Sequence, residues 1–183
     1  MNYLTHYNSP IAPMTIASDG ENIIGIWFDG QKNDRSTCQD DYSNCIMQSR
    51  DRDFPEMFGD TIEWLDAYFA GEQPKKLPKL KFEGTDFQKA VMKAMLAIPY
   101  GKTVTYAELG KEVAKILGKD KASAQAVGKA VGNNPLLVIV PCHRVIGAND
   151  NLKGYVAGIN KKIALLELEK VNTKEFSVPK LAR

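Results

Sequence analysis

The sequence predicts a mixed α/β (α+β) chain in two parts, a small N-terminal part of strands and one helix followed by a larger helical part. Three observations predict it. Short β-rich runs crowd the stretch before Gly30. A segment from Pro74 to Leu80 holds two prolines and three lysines, the composition of a linker. Beyond it, apolar residues recur at helical spacing behind helix-capping signatures.

Each element follows from its residues. Ala12 to Ala17 and Ile23 to Phe28 are β-rich and flank Ser18-Asp19-Gly20-Glu21-Asn22, the pattern of a hairpin. Residues 29–54 are polar and irregular, a loop with weak structure. Phe58, Ile62, Leu65 and Phe69 recur at helical spacing, which predicts a helix over 55–70 stopped by Gly71. Thr85-Asp86-Phe87-Gln88 is a capping box opening a helix over 86–97, stopped by Pro99-Tyr100-Gly101. Thr105-Tyr106-Ala107-Glu108 is a second box, opening a helix to Leu117. Ser123 caps a third helix, Ala124 to Val131, ended by Gly132-Asn133-Asn134-Pro135. These last two helices, joined by a Gly-containing turn, read as a helix-turn-helix. The small residues of the second suit close approach to a nucleic-acid groove or plain packing on a neighbour. Leu136 to Val140 reads as a short buried strand, Asn160 to Lys170 as a final helix, and the rest as a loosely held tail. The expected domains are 1–78 and 79–171, with a tail over 172–183.

Composition excludes several classes. At 183 residues and 44% hydrophobic content the chain supports one large domain or two small ones. No apolar run approaches the roughly 18 residues of a membrane span. The N-terminus lacks the basic and apolar regions of a signal peptide. Three cysteines without a pairing pattern fit a reducing cytosol, so a cytoplasmic protein is expected. No metal is expected, because Cys38 and Cys45 lack a CxxC partner and His6 is the only histidine outside the Cys142 segment. Charge is lopsided: residues 1–72 hold 4 Lys+Arg against 13 Asp+Glu, and residues 73–183 hold 20 against 9. The basic half suits a polyanion, or carries ordinary solvated lysines.

One stretch asks for chemistry. Ile139-Val140-Pro141-Cys142-His143-Arg144-Val145-Ile146 sets a cysteine, one of two histidines and an arginine inside an apolar run. Free cysteine has a pKa of about 8.5, and a neighbouring imidazole or cation raises its thiolate fraction. The residues alone also fit a small buried cysteine filling a core gap, with His143 and Arg144 solvated.

Pro141-Cys142-His143-Arg144-Val145 after an Asn134-Pro135 turn resembles the active-site signature of the O6-alkylguanine-DNA alkyltransferases. The resemblance runs back through Phe87-Gln88, Ile98-Pro99-Tyr100-Gly101 and Tyr106, and forward through Gly154-Tyr155, Gly158 and Leu165 to Glu169. It covers about residues 83–170. It implies a ribonuclease-H-like N-terminal domain and a winged-helix-like DNA-binding domain. It also implies a monomer that needs no cofactor and binds double-stranded DNA carrying O6-alkylguanine through the minor groove. Members without transfer activity carry tryptophan at the nucleophile position, and this chain keeps cysteine.

The resemblance further implies roles. Cys142 is the nucleophile and acceptor, used once because a thioether is a poor leaving group. His143 acts as base through a bridging water, since neighbours on extended backbone point apart. Glu169 orients the imidazole, Tyr106 donates to the departing guanine, and Asn134 holds the turn before the active site. Val145, Val156, Ala157, Gly158 and Ile159 line the base pocket. Ala124, Gln125, Lys129, Thr105 and Arg144 face DNA and serve base flipping. Two positions depart from the family: Gln125 stands where arginine is usual, and Gly132 where a second basic residue often is. Ala157, in a turn usually rich in glycine, narrows the pocket. O4-alkylthymine is a further possible substrate. The rival readings are a Cys-His hydrolase, a non-catalytic binder of alkylated DNA, and an alkylation-sensing regulator.

Overall fold

The computed structural model describes residues 2–32, 46–47, 56–152 and 154–178. Cys38, Cys45 and most of the expected polar loop lie outside the described residues. The chain forms two compact units. The first comprises residues 1–82 with Pro135–Ile139, the second residues 83–134 with 140–183.

In the first unit, β2 (Pro13–Ser18) and β3 (Ile23–Phe28) form the expected antiparallel hairpin, with a register shift at Ala17/Ser18. Asp19 holds its turn by accepting from the backbone N–H groups of Glu21 and Asn22. Two strands were not anticipated: β1 (Tyr3–Asn8) lies antiparallel to β2, and β4 (Ile46–Met47) parallel to β1, in the order β3-β2-β1-β4. Helix α1 (Glu56–Phe69) buries Phe58, Ile62, Trp64, Leu65 and Tyr68. The Tyr7 hydroxyl on β1 donates to Asp66 on α1 at 2.8 Å, and Gly71 ends the helix at φ +85°.

The second unit is helical. Helices α2 (Asp86–Leu96), α3 (Tyr106–Ile116) and α4 (Ala124–Gly132) each begin at the expected cap. At Thr85/Gln88 and Thr105/Glu108 both reciprocal hydrogen bonds of the capping box are made. A two-stranded parallel pair, β5 (Val104–Thr105) with β6 (Val145–Ile146), fixes the start of α3 beside the Cys142 segment. Helix α5 (Ile159–Leu168) closes the unit.

Three expectations are corrected. Leu136–Val140 is not a strand. Leu136 makes one bridge to Ile26, and residues 137–139 turn, with Val138 at φ +70°. Five apolar residues in a row look alike whether buried as strand or as turn. The Cys142 backbone is likewise not extended, because Cys142–Arg144 forms a single 3-10 turn. The tail is docked as far as Ser177. Phe176 packs on the Ile146, Leu152 and Leu166 cluster, and Ser177 exchanges backbone hydrogen bonds with Asp150 and Leu152. Among the described residues no helix is long and apolar enough to cross a membrane.

Candidate active site

The site is built where four pieces of the second unit meet: the 3-10 turn, the starts of α3 and α5, and the end of α5. The chain leaves this unit after Asn134 and returns at Val140, and Asn134 Nδ2 donates to Val140 O at 2.9 Å. One buried amide therefore clasps the base of the excursion immediately before Pro141 and Cys142. Its side chain also hydrogen-bonds the Cys142 thiol.

Cys142 is 2% exposed. Burial pushes its thiol up to about 11, although the Asn134 amide, the Lys162 charge and nearby backbone groups all favour the thiolate. His143 is fully buried, and its Nε2–H donates to Glu169 Oε1 at 2.7 Å. That bond fixes the tautomer with the proton on Nε2. Burial, with smaller effects from the Arg144 and Lys162 charges, outweighs Glu169 and lowers the imidazole below its ordinary 6.5. The ring is therefore neutral at pH 7, and Nδ1 is its basic nitrogen.

Glu169 caps the end of α5 and is 2% exposed. Burial alone would raise its carboxyl. The hydrogen bonds and charges of His143 and Arg144 prevail and hold it at about 2. Arg144 Nε donates to Glu169 Oε2 at 2.9 Å and Nη2 to Oε1 at 3.0 Å, while Nη1 reaches Ile98 O at 2.6 Å. The Gly101 N–H adds a further donor to Oε2 at 2.9 Å. Gly101 has φ +72°, and a methyl group there would come within 3.0 Å of the Glu169 carbonyl, so glycine is required at this close approach. Arg144 also lies over the Tyr100 ring, 5.7 Å from its centroid, and the Tyr100 hydroxyl donates to Leu168 O.

Arg144, expected at the DNA face, is thus a correction. It is 8% exposed and spends its guanidinium on Glu169 and Ile98. Thr105 is committed as well, its hydroxyl donating to Glu108 and accepting from the Glu108 N–H as the α3 cap. Ala124, Gln125 and Lys129 are exposed on α4, while Val127 and Val131 of the same helix are buried. Gln125 and Lys129 are one turn apart and share the outward face.

Tyr106 is the first residue of α3. Burial raises its phenol, and a Cys142 thiolate raises it further, so the hydroxyl keeps its proton near the thiol. A methyl group at Gly154 would lie 3.2 Å from that hydroxyl, so the bare Gly154, at φ +70°, leaves it room. Around the expected base pocket, Val145 and Ala157 are buried, Val156 and Ile159 half-buried, and Gly158 exposed as the N-cap of α5 at φ +95°. Ile159 also packs on the Ile146, Leu152 and Leu166 cluster.

Sequence reading missed Lys162 and Tyr155. Lys162 is fully buried and donates from Nζ to Val145 O at 2.6 Å. Burial lowers it to about 8, and the Cys142 thiolate partly restores it. Tyr155 is buried in the turn before α5, its phenol raised well above its usual value by burial and then by Cys142. A usable signal existed for Lys162, a lysine in register with Leu165 and Leu166 on the apolar face of α5. Among the described residues no group of acidic, histidine or cysteine side chains could hold a metal.

Two family models match, together spanning nearly the whole chain. Residues 86–171 match "6-O-methylguanine DNA methyltransferase, DNA binding domain", and residues 2–83 match the "ribonuclease-like domain" of the same enzyme. A methylated-DNA–protein-cysteine methyltransferase of Mycobacterium tuberculosis is 41% identical over 170 residues, 91% of this chain and 93% of that protein. One from Methanosarcina acetivorans is 42% identical over 167 residues, 91% and 97% of the two. A crystal structure of Mycobacterium tuberculosis OGT in complex with DNA superposes with TM-score 0.75 at 38% identity, covering 94% of this chain and 98% of that one.

Proposed function

Since this chain belongs to the O6-alkylguanine-DNA alkyltransferase family, we propose that its own Cys142 accepts the alkyl group in a single, irreversible transfer. The activity is direct-reversal DNA repair, that of a methylated-DNA–protein-cysteine methyltransferase. DNA is its partner, and O6-alkylguanine in a duplex is the substrate we assign to it, with the protein acting as a monomer.

The observation that carries this reading is the buried line from Glu169 through His143 to the Cys142 turn. Glu169, held by Arg144 and Gly101, fixes the imidazole so that Nδ1 carries the lone pair. That nitrogen takes the thiol proton through a bridging water, and the Glu169 charge stabilises the imidazolium that results. The thiolate attacks the alkyl carbon, a carbon–sulfur bond forms, and the carbon–O6 pair returns to the base. Tyr106 donates its proton to the departing guanine and is reprotonated at the expense of the imidazolium, so the thiol proton ends, in net, on guanine and His143 returns to neutral. A thioether does not leave again, and the protein is spent.

A resting thiol held at about 11 suits this use. Little thiolate exists until the relay is used, which spares the cysteine from chance electrophiles. To reach the alkyl carbon the base must leave the duplex, at a cost of a few kcal/mol that damage reduces. The exposed face of α4 carries Gln125 to fill the vacated stack and Lys129 to meet phosphate.

Intact mass after incubation with methylated duplex tests the assignment. The protein should gain about 14 Da, one CH₂, on Cys142, in an amount that saturates at one equivalent. Duplex binding with no mass gain would leave a non-catalytic lesion binder. Repeated turnover would point to a hydrolase.

A further inference from the structure

Of the charged side chains buried among the described residues, Arg144 and Glu169 pair around His143, and Lys162 donates to a backbone carbonyl beside the nucleophile's turn. It sits in the first turn of α5, and its Nζ reaches the carbonyl of Val145, three residues past the nucleophile. Two forces act against a cation here. Burial removes its hydration, and the N-terminal end of a helix dipole is already positive. Methionine would fill the space without either cost.

The face it shares explains its reach. Lys162, Leu165, Leu166 and Glu169 recur at the spacing of one helical stripe, and all four are buried. The end of the stripe delivers an anion to the imidazole, and its start delivers a cation to the carbonyl of Val145, the residue that caps the Cys142 turn and whose own N–H bonds the Cys142 carbonyl. Lys162 and Cys142 feel each other electrostatically: the ammonium favours the thiolate, and the thiolate favours the ammonium.

We propose that Lys162 is a positioning residue for alkyl transfer, acting through Cys142, its buried ammonium being the positive charge against which the thiolate forms. The inference rests on the transfer reading above. At neutral pH Lys162 keeps its proton. In transfer from the duplex the thiol proton goes to His143, and in reaction with a free electrophile it goes to solvent. Either way the sulfur becomes anionic, and attack on the alkyl carbon, with departure of the leaving group and its bonding pair, leaves a neutral thioether.

A pH signature follows. The titratable groups facing the Lys162–Cys142 pair are His143, Tyr106 and Tyr155, with Glu169 and Arg144 on the far side of His143. His143 is already neutral above its lowered pKa, and both tyrosines are raised, so Lys162 at about 8 is the first of these to titrate above neutrality. Below that pH the resting state is ammonium with thiol. Above it the resting state is amine with thiol, which holds as many protons as ammonium with thiolate. The ratio of those two states does not depend on pH.

The test is the rate of Cys142 methylation in the full-length protein by methyl iodide, read by peptide mass from about pH 7 to pH 10. The wild-type rate should rise about tenfold per pH unit at first and level off above about 8. Lys162→Met should be at least about tenfold slower at pH 7 and should keep rising without a plateau. Its transfer from methylated duplex at pH 7 should fall by a similar factor. A Met variant whose curve overlays the wild type overturns the proposal. If that variant does not fold, the wild-type curve decides alone, and an unbroken tenfold rise past about pH 9 overturns it. Failure of the transfer reading looks different: the wild type would take no methyl group from the duplex, whatever methyl iodide reports.

Discussion

Glu169→Gln removes one charge from the centre of the buried network and changes almost no volume. The amide oxygen still accepts from His143 Nε2 or from Gly101, but it no longer answers the Arg144 guanidinium, a side chain only 10% exposed. Two consequences follow, with separate sizes. In catalysis, a neutral amide does not stabilise the imidazolium that accompanies the thiolate. Transfer should slow by about one to three orders of magnitude, roughly 1.4 to 4 kcal/mol of transition-state stabilisation. In stability, a carboxyl lowered from 4.5 to about 2 on folding contributes about 3 kcal/mol at neutral pH. Breaking one side of a buried pair typically costs about 3 to 5 kcal/mol, which agrees. The sign sets the pH window. The folded carboxyl is lowered, so its contribution is complete above about 4.5 and is lost as the pH falls toward 2. The stability gap between wild type and Glu169→Gln should therefore narrow on acidification through that window. Stopped-flow single-turnover transfer at about pH 7 with saturating duplex, beside denaturant unfolding across the window, measures both. A transfer rate within twofold of wild type would refute the relay, and a gap that does not narrow would refute the electrostatic account of the fold.

Three other outcomes are expected. Cys142→Ser should bind alkylated duplex and transfer nothing, while Cys38→Ser and Cys45→Ser transfer normally, all read by intact mass. Gly154→Ala adds a methyl group 3.2 Å from the Tyr106 hydroxyl at a φ of +70°; unfolding should show a loss of about 1–2 kcal/mol, transfer should slow about tenfold, and an unchanged rate would mean the hydroxyl's position does not matter. Gln125→Ala should slow repair of duplex about tenfold and spare the free base O6-methylguanine, whereas Gln125→Arg should tighten duplex binding and steepen its salt dependence by about one phosphate contact; equal duplex rates for Gln125→Ala and wild type would make Gln125 a bystander.

What the sequence made legible was local. A capping box needs four consecutive residues, and at Thr85 and Thr105 both reciprocal bonds form as the residue types require. The helices behind them follow from apolar spacing alone. The hairpin at Ser18–Asn22 was legible for the same reason, since Asp19 bonds its own turn. The strand β1 was not, because Thr5 is buried beside Leu4 and blurs the period-2 pattern. Val138 shows a harder limit. Nothing in Leu136-Leu137-Val138-Ile139-Val140 announces that a β-branched residue will sit at positive φ.

Charge was the part least legible, because the partner that gives a charge its meaning is remote in the chain. Arg144 beside Cys142 reads as a phosphate contact in a basic half, until Glu169 arrives 25 residues later and the guanidinium is fully engaged within the fold. Lys162 was overlooked for the opposite reason: lysines on helices are ordinarily solvated, and α5 carries Lys161 next to it, half-buried and bonded to the Ala157 carbonyl just ahead of the helix. The distinction lies in phase. Lys162 is in register with Leu165, Leu166 and Glu169, whereas Lys161 is rotated by about 100° around the axis, toward the flank of that stripe. A stripe whose apolar middle is bounded by a lysine at one end and a glutamate at the other, seven residues apart, is an expensive thing to bury. It is tolerated here because each charged end meets a polar partner, the Val145 carbonyl beside the Cys142 turn at the start and the imidazole of His143 at the end. The helix that looks like a simple closing element therefore sets the electrostatics on both sides of the nucleophile.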